Sequence, residues 1–173
     1  MKESEPNVEG NMKIRGFETI RGNWSPIAKE TQERVLNIIL KEDNVEKALK
    51  YVKNIVNDLR EKKTPKEKVI IHTQIQKELH EYSSITPHVA IARLLKSRGQ
   101  HMAPGTRIEF IVTPGKGVIR DRAKLPDEAE DYDSDYYINN QVIPTVERIF
   151  KVLGYKEEDL VGEKKQSKLG KFF

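Results

Sequence analysis

Two apolar stripes at helical spacing, divided by Asp43-Asn44, restrict what this chain can fold into more than any other feature. In the first, Ile27, Thr31, Val35, Ile38 and Ile39 recur three or four residues apart, as on one face of an α-helix. Ser25-Pro26 opens it: serine is a favoured N-cap, and proline at the first helical position lacks an N–H that would go unpaired anyway. In the second, Val45, Ala48, Leu49, Val52, Ile55, Val56 and Leu59 line one side and the charges lie on the other. A connection this short turns the chain back, so residues 26–62 are expected to form an antiparallel helical hairpin.

After residue 62 the period changes. KVIIHTQI (68–75) is rich in β-branched residues and reads as a strand. Thr86-Pro87 opens another helix, which stops at Arg98-Gly99. RIEFIVTPGKGVIRDRA (107–123) reads as a strand, a glycine-rich turn and a second strand, a β-hairpin. An acidic loop follows, in which Asp127, Glu128, Glu130, Asp131, Asp133 and Asp135 meet no intervening basic residue. The last helix, about 135–153, carries Ile138, Val142, Val146, Ile149 and Leu153, with a kink expected at Pro144 and a stop at Gly154. The expected fold class is mostly α with small β elements, α+β.

A chain of 173 residues fits one domain with tails. With 36% hydrophobic and 34% charged residues it should fold with a wet surface. The absence of cysteine excludes disulfides, thiolate catalysis and thiolate zinc sites together. No apolar run approaches the roughly 18 residues of a membrane span, and the polar start MKESEPNVEG is unlike a signal peptide. A cytoplasmic protein with no membrane partner is expected.

The net charge of +4 is concentrated. Residues 93–122 hold Arg93, Lys96, Arg98, Arg107, Lys116, Arg120 and Arg122 against Glu109 and Asp121. If the helix from Pro87 and the hairpin 107–122 are neighbours, they form a basic face suited to phosphates. Thr86-Pro87-His88 adds a helix N-terminus, where unpaired N–H groups favour an anion, although an ordinary capped helix has the same sequence. The turn Pro114-Gly115-Lys116-Gly117 lets a phosphodiester approach the backbone but lacks the spacing of a nucleotide-triphosphate loop. The acidic cluster could hold Mg²⁺ in principle, yet it lacks the glycine and closing glutamate of a calcium loop and reads better as a solvated loop. His72, His80, His88 and His101 do not fall at ligand spacings, and no complete catalytic site emerges.

QSKLGKFF, residues 166–173, has the form Q-x-x-L-x-x-F-F. One 3₁₀ turn would set Leu169 and Phe172 on one side with Phe173 beside them, three apolar groups able to fill a pocket, with Gln166 at its rim. The pattern resembles the box with which replication and repair proteins bind the sliding clamp (PCNA).

Taken together, IRGFETIRGNWSPIAKETQERVL (14–36), VIIHTQIQKEL (69–79), TPHVAIARLLKSRG (86–99), PGTRIEFIV (104–112), DRA (121–123), YYINNQVIPTVERIF (136–150) and LGY (153–155) resemble the C-terminal palm edge and thumb of archaeal family B DNA polymerases. The resemblance runs from residue 14 to the end in the family's order. It implies a helical thumb gripping a primer–template duplex, with Arg21 touching DNA from the palm edge. Thr86, His88, Arg93, Arg107, Lys116 and Arg122 would lie on or near the DNA face, and Arg120, where the family commonly has glycine, adds a cation to it. Gly22 and Asn23 stand where the family commonly has arginine and aspartate.

The family's metal-binding aspartate motifs, fingers helix and exonuclease carboxylates have no counterpart in this sequence. With its own Met1 and short polar lead, the chain is similar to the small subunit of a split family B polymerase. That resemblance implies no cofactor in this chain, Mg²⁺ on a large catalytic subunit, and a DNA-directed DNA polymerase active only as the pair. The domain plan it implies is a flexible lead (1–12), a palm-edge segment pairing with the partner chain (13–24), a thumb (25–155) and a flexible tail carrying the clamp box (156–173). The alternative is a non-catalytic DNA-binding adaptor that recruits the clamp.

Overall fold

The computed structural model describes residues 23–162. Helix α1 (Pro26–Glu42) buries Ile27, Ala28, Thr31, Val35, Leu36 and Ile38, and helix α2 (Val45–Arg60) buries Ala48, Val52, Val56 and Leu59 against it. The connection works because its two residues do different things. Asp43 turns into the left-handed region (φ 50°), which aspartate tolerates, and the Asn44 side chain accepts a hydrogen bond from Lys47 N at 2.9 Å to cap α2. The expected helical hairpin is present.

Ser25 adopts the extended cap conformation, but its hydroxyl makes no capping bond. Its N and Oγ instead donate to Gln141 Oε1, at 2.7 and 2.8 Å, while Gln141 Nε2 donates to Asn23 O at 3.2 Å. A buried amide from a distant helix therefore fixes the start of α1.

A three-stranded antiparallel sheet has the order β1 (Ile71–Gln74), β2 (Arg107–Val112), β3 (Ala123–Lys124). Ile71 stands opposite Phe110 and Gln74 opposite Arg107, while Val112 faces Ala123. Trp24 forms a further bridge to His72. Along β2 the exposed Arg107 and Glu109 alternate with the buried Ile108 and Phe110, and Ile111 and Val112 are both covered. Helix α3 (Pro87–Ser97) packs on β2 and β3 through Val89, Ile91 and Ala92.

The expected second strand of the 107–123 hairpin is corrected. Ile119–Arg122 forms a short helix, α4, and only Ala123-Lys124 pairs with β2. The chain from Ser134 runs as a helical turn α5 (Ser134–Tyr136), a π-helical stretch (Tyr137–Val142) and helix α6 (Ile143–Val152). Pro144 has no N–H to return to the preceding turn, and Ile143 N reaches back five residues to Ile138 O. The proline's effect is thus a widened turn before it. Tyr137 lies fully buried in this stretch, its hydroxyl donating to Val69 O (2.6 Å) and accepting from Val112 N (3.1 Å). Burial, the larger influence, raises the phenol's pKa far above its ordinary value.

Helix α7 (Glu157–Val161) seats the buried Leu160 against α2 and α6. The folded body thus continues past residue 155, the boundary the sequence suggested for it. No helix among the described residues is long and apolar enough to cross a membrane.

Candidate nucleic-acid interface

Thr86 sits at the N-cap of α3 in extended conformation, yet its hydroxyl makes no capping bond. It lies 2.9 Å from His88 Nδ1. The His88 ring stands edge-on to Tyr82, with centroids 6.0 Å apart, and Tyr82 is itself fixed by a hydrogen bond from Gln76 N to its hydroxyl (2.8 Å). Partial burial lowers the His88 pKa from its ordinary value of 6.5, so the ring is neutral at neutral pH.

Helix α3 lies beside α4, β2 and β3, the adjacency on which a shared basic face depends. Arg93 and Lys96 are exposed and, with His80, Ser97 and Leu79, line an open groove of about 380 Å³. Arg107 is exposed at the start of β2, Lys116 in the glycine turn and Arg120 on α4. Among the described residues no carboxylate forms an ion pair with any of these five cations.

Two cations of the same cluster are committed elsewhere. Arg98 Nη1 pairs with Glu128 at 2.6 Å. Arg122, which the sequence places with the phosphate ligands, turns inward: Nη1 donates to Thr113 O at 3.1 Å and pairs with Asp133. Its Nε is buried with no hydrogen-bond partner among the described residues.

The acidic loop is solvated at Asp127, Glu128, Glu130, Asp131 and Asp135, which are exposed, and only Asp133 is partly buried. Asp131 accepts from Lys62 Nζ (3.1 Å) and from Tyr132 N (2.7 Å), and Asp133 Oδ1 accepts from Tyr136 N (3.1 Å). Lys62 also donates to Tyr132 O and lies over the Tyr132 ring, 4.6 Å from its centroid. Among the described residues, no three histidine or acidic side chains are grouped to hold a metal ion. Arg21 and the segment carrying Gln166, Leu169, Phe172 and Phe173 lie outside the described residues.

The model of DNA polymerase family B matches residues 1–153. The chain belongs to DNA polymerase family B. It is 51% identical over 156 residues to the DNA polymerase of Thermococcus aggregans, covering 88% of this chain and 8% of that protein. It is 48% identical over 167 residues to the DNA polymerase of Thermococcus sp. (strain 9oN-7), covering 94% of this chain and 22% of that protein. Among solved structures it is similar to the family B DNA polymerase from the hyperthermophilic archaeon Pyrobaculum calidifontis, with a TM-score of 0.67 and 39% identity, over 78% of this chain and 18% of that one. This family B chain therefore spans between 8% and 22% of the length of these relatives.

Three residues of the family B chain escape a reading of its sequence. His80 joins Arg93 and Lys96 through a 3₁₀ turn (Leu79–Glu81), too short to show a period. Asp133 is one carboxylate among six, and only its partner distinguishes it. Gln141 acts 116 residues away, on Ser25.

Proposed function

We propose that this chain is the thumb of a family B DNA polymerase and works as the small subunit of a two-chain DNA-directed DNA polymerase. It grips the primer–template duplex through backbone phosphates and tethers the enzyme to the sliding clamp. The observation that carries the grip is the set of exposed cations around α3, the glycine turn and α4, which no described carboxylate neutralises, in a chain of this family. Contacts of that kind hold a duplex without reading its sequence, which is what an enzyme copying any template requires. Arg21 and the clamp box Gln166, Leu169, Phe172 and Phe173 are supported by sequence pattern alone.

Nucleotide transfer in this family draws on Mg²⁺, and among the described residues no three acidic or histidine side chains are grouped to hold it, while Glu128, Asp131 and Asp133 are each paired with a cation of the chain itself. On this reading the Mg²⁺ site lies on a large catalytic partner, and this chain alone is expected to be inactive. Primer extension with the purified catalytic chain tests the proposal. Adding this chain should lengthen the products made per binding event, and the sliding clamp should lengthen them further. Phe172→Ala with Phe173→Ala should remove the clamp's effect and leave unassisted duplex binding intact. A catalytic chain equally processive without this one would contradict the proposal, and failure of any polymerase chain to co-purify would favour the adaptor.

A further inference from the structure

Lys116 lies on the turn Pro114–Gly117, which has no helix or strand of its own to hold it. Its base is fixed at one residue, by both the backbone carbonyl and the side chain of Arg122. Thr113 donates both its N and its Oγ1 to Arg122 O, at 2.9 and 2.8 Å, and the Arg122 guanidinium returns a bond to Thr113 O. The arginine stem also packs under the turn: a Cβ on Gly115 (φ +148°) would lie 3.3 Å from Arg122 Cδ. Asp133, which holds the guanidinium, is itself pinned to the sheet and helix. Its N donates to Val112 O at 2.9 Å, and its carbonyl accepts from Tyr137 N at 3.1 Å. A surface phosphate ligand needs none of these contacts.

We propose that Arg122 and Asp133 form a latch that sets the position of Lys116 on the duplex, so that both are positioning residues and neither is a phosphate ligand. The inference rests on the duplex-gripping reading above. It makes a prediction opposite in sign to simple electrostatics. Removing a carboxylate beside a polyanion-binding surface strengthens binding if charge alone matters. Opening a latch weakens it.

The test is titration of the full chain against a fluorescent primer–template duplex at several salt concentrations, comparing wild type, Lys116→Ala, Asp133→Asn and their combination. Asp133→Asn should weaken binding about as much as Lys116→Ala, lower the salt slope by about one although no cation is removed, and leave Lys116→Ala without further effect. Unchanged or tighter binding by Asp133→Asn, or effects that multiply in the combination, would overturn the latch. Arg122→Lys keeps the charge, but its ammonium falls one bond short of Nη1, the single atom that donates to both Thr113 O and Asp133. It should behave as Asp133→Asn does, whereas a phosphate ligand would tolerate it. If Asp133→Asn does not fold, Gly115→Ala takes its place, since it presses on the Arg122 stem and leaves every charge intact. Wild-type binding by that variant, with Lys116→Ala still fully effective in it, would equally overturn the proposal. A wild-type chain that does not bind the duplex at all would overturn the functional reading itself, and the latch with it.

Discussion

Glu128 and Asp133 lie on the same acidic loop and each meets an arginine, yet the two pairs occupy different environments. The Arg98 and Glu128 side chains are 46% and 44% exposed, and the structure gives the pair one hydrogen bond. Arg122 and Asp133 are 13% and 20% exposed and share their polar atoms with Thr113 O and Tyr136 N. The comparison teaches that an ion pair organises a structure in proportion to the backbone groups bound into it. A pair open to water is screened and holds its long side chains at an entropic cost, whereas a partly buried one leaves an uncompensated charge when either partner is removed.

Asp133→Ala should therefore have the largest effect, roughly 3 kcal/mol lost in a denaturant titration, because Arg122 stays partly buried without its carboxylate and α5 loses its cap. A loss similar to that of Arg98→Ala would erase the distinction between the pairs. Tyr137→Phe should come next, at about 1–3 kcal/mol, because Val112 N and Val69 O lose a buried partner within the same network. Arg98→Ala should have the smallest effect and carries a pH signature. The Arg98 guanidinium lowers the Glu128 pKa from its ordinary 4.5, so the pair's contribution is fully present above that value and disappears as the pH falls through the lower folded value. The difference in stability between wild type and Arg98→Ala should accordingly vanish on acidification. A difference that persisted in acid would mean that Arg98 acts through packing.

The helical hairpin was legible because its stripes, its proline start and its Asp43-Asn44 connection all lie within the segment they specify. The β-hairpin was misread for the opposite reason. VIRDRA suits a strand locally, but Arg122 is drawn to Thr113 and Asp133, and the chain coils as α4 before it reaches β2. The π-helical stretch follows a period that helix patterning does not detect, and the buried groups fixing Tyr137 and Gln141 come from distant parts of the chain. At the candidate interface, Arg93 and Lys96 could be placed from their spacing on α3, whose apolar side faces the sheet. Arg122 could not, since charge alone does not reveal whether an arginine meets solvent or a carboxylate brought in by the fold.

The central claim, that this family B chain grips duplex DNA through exposed cations, is tested most directly by the salt dependence of duplex binding. Arg93, Lys96, Arg107, Lys116 and Arg120 are exposed without a described carboxylate partner. If all five reach phosphates, the logarithm of the binding constant should fall against the logarithm of salt concentration with a slope of about −4 to −5, and Arg93→Ala should reduce that slope by about one. A slope near zero, or one that Arg93→Ala leaves unchanged, would contradict the account.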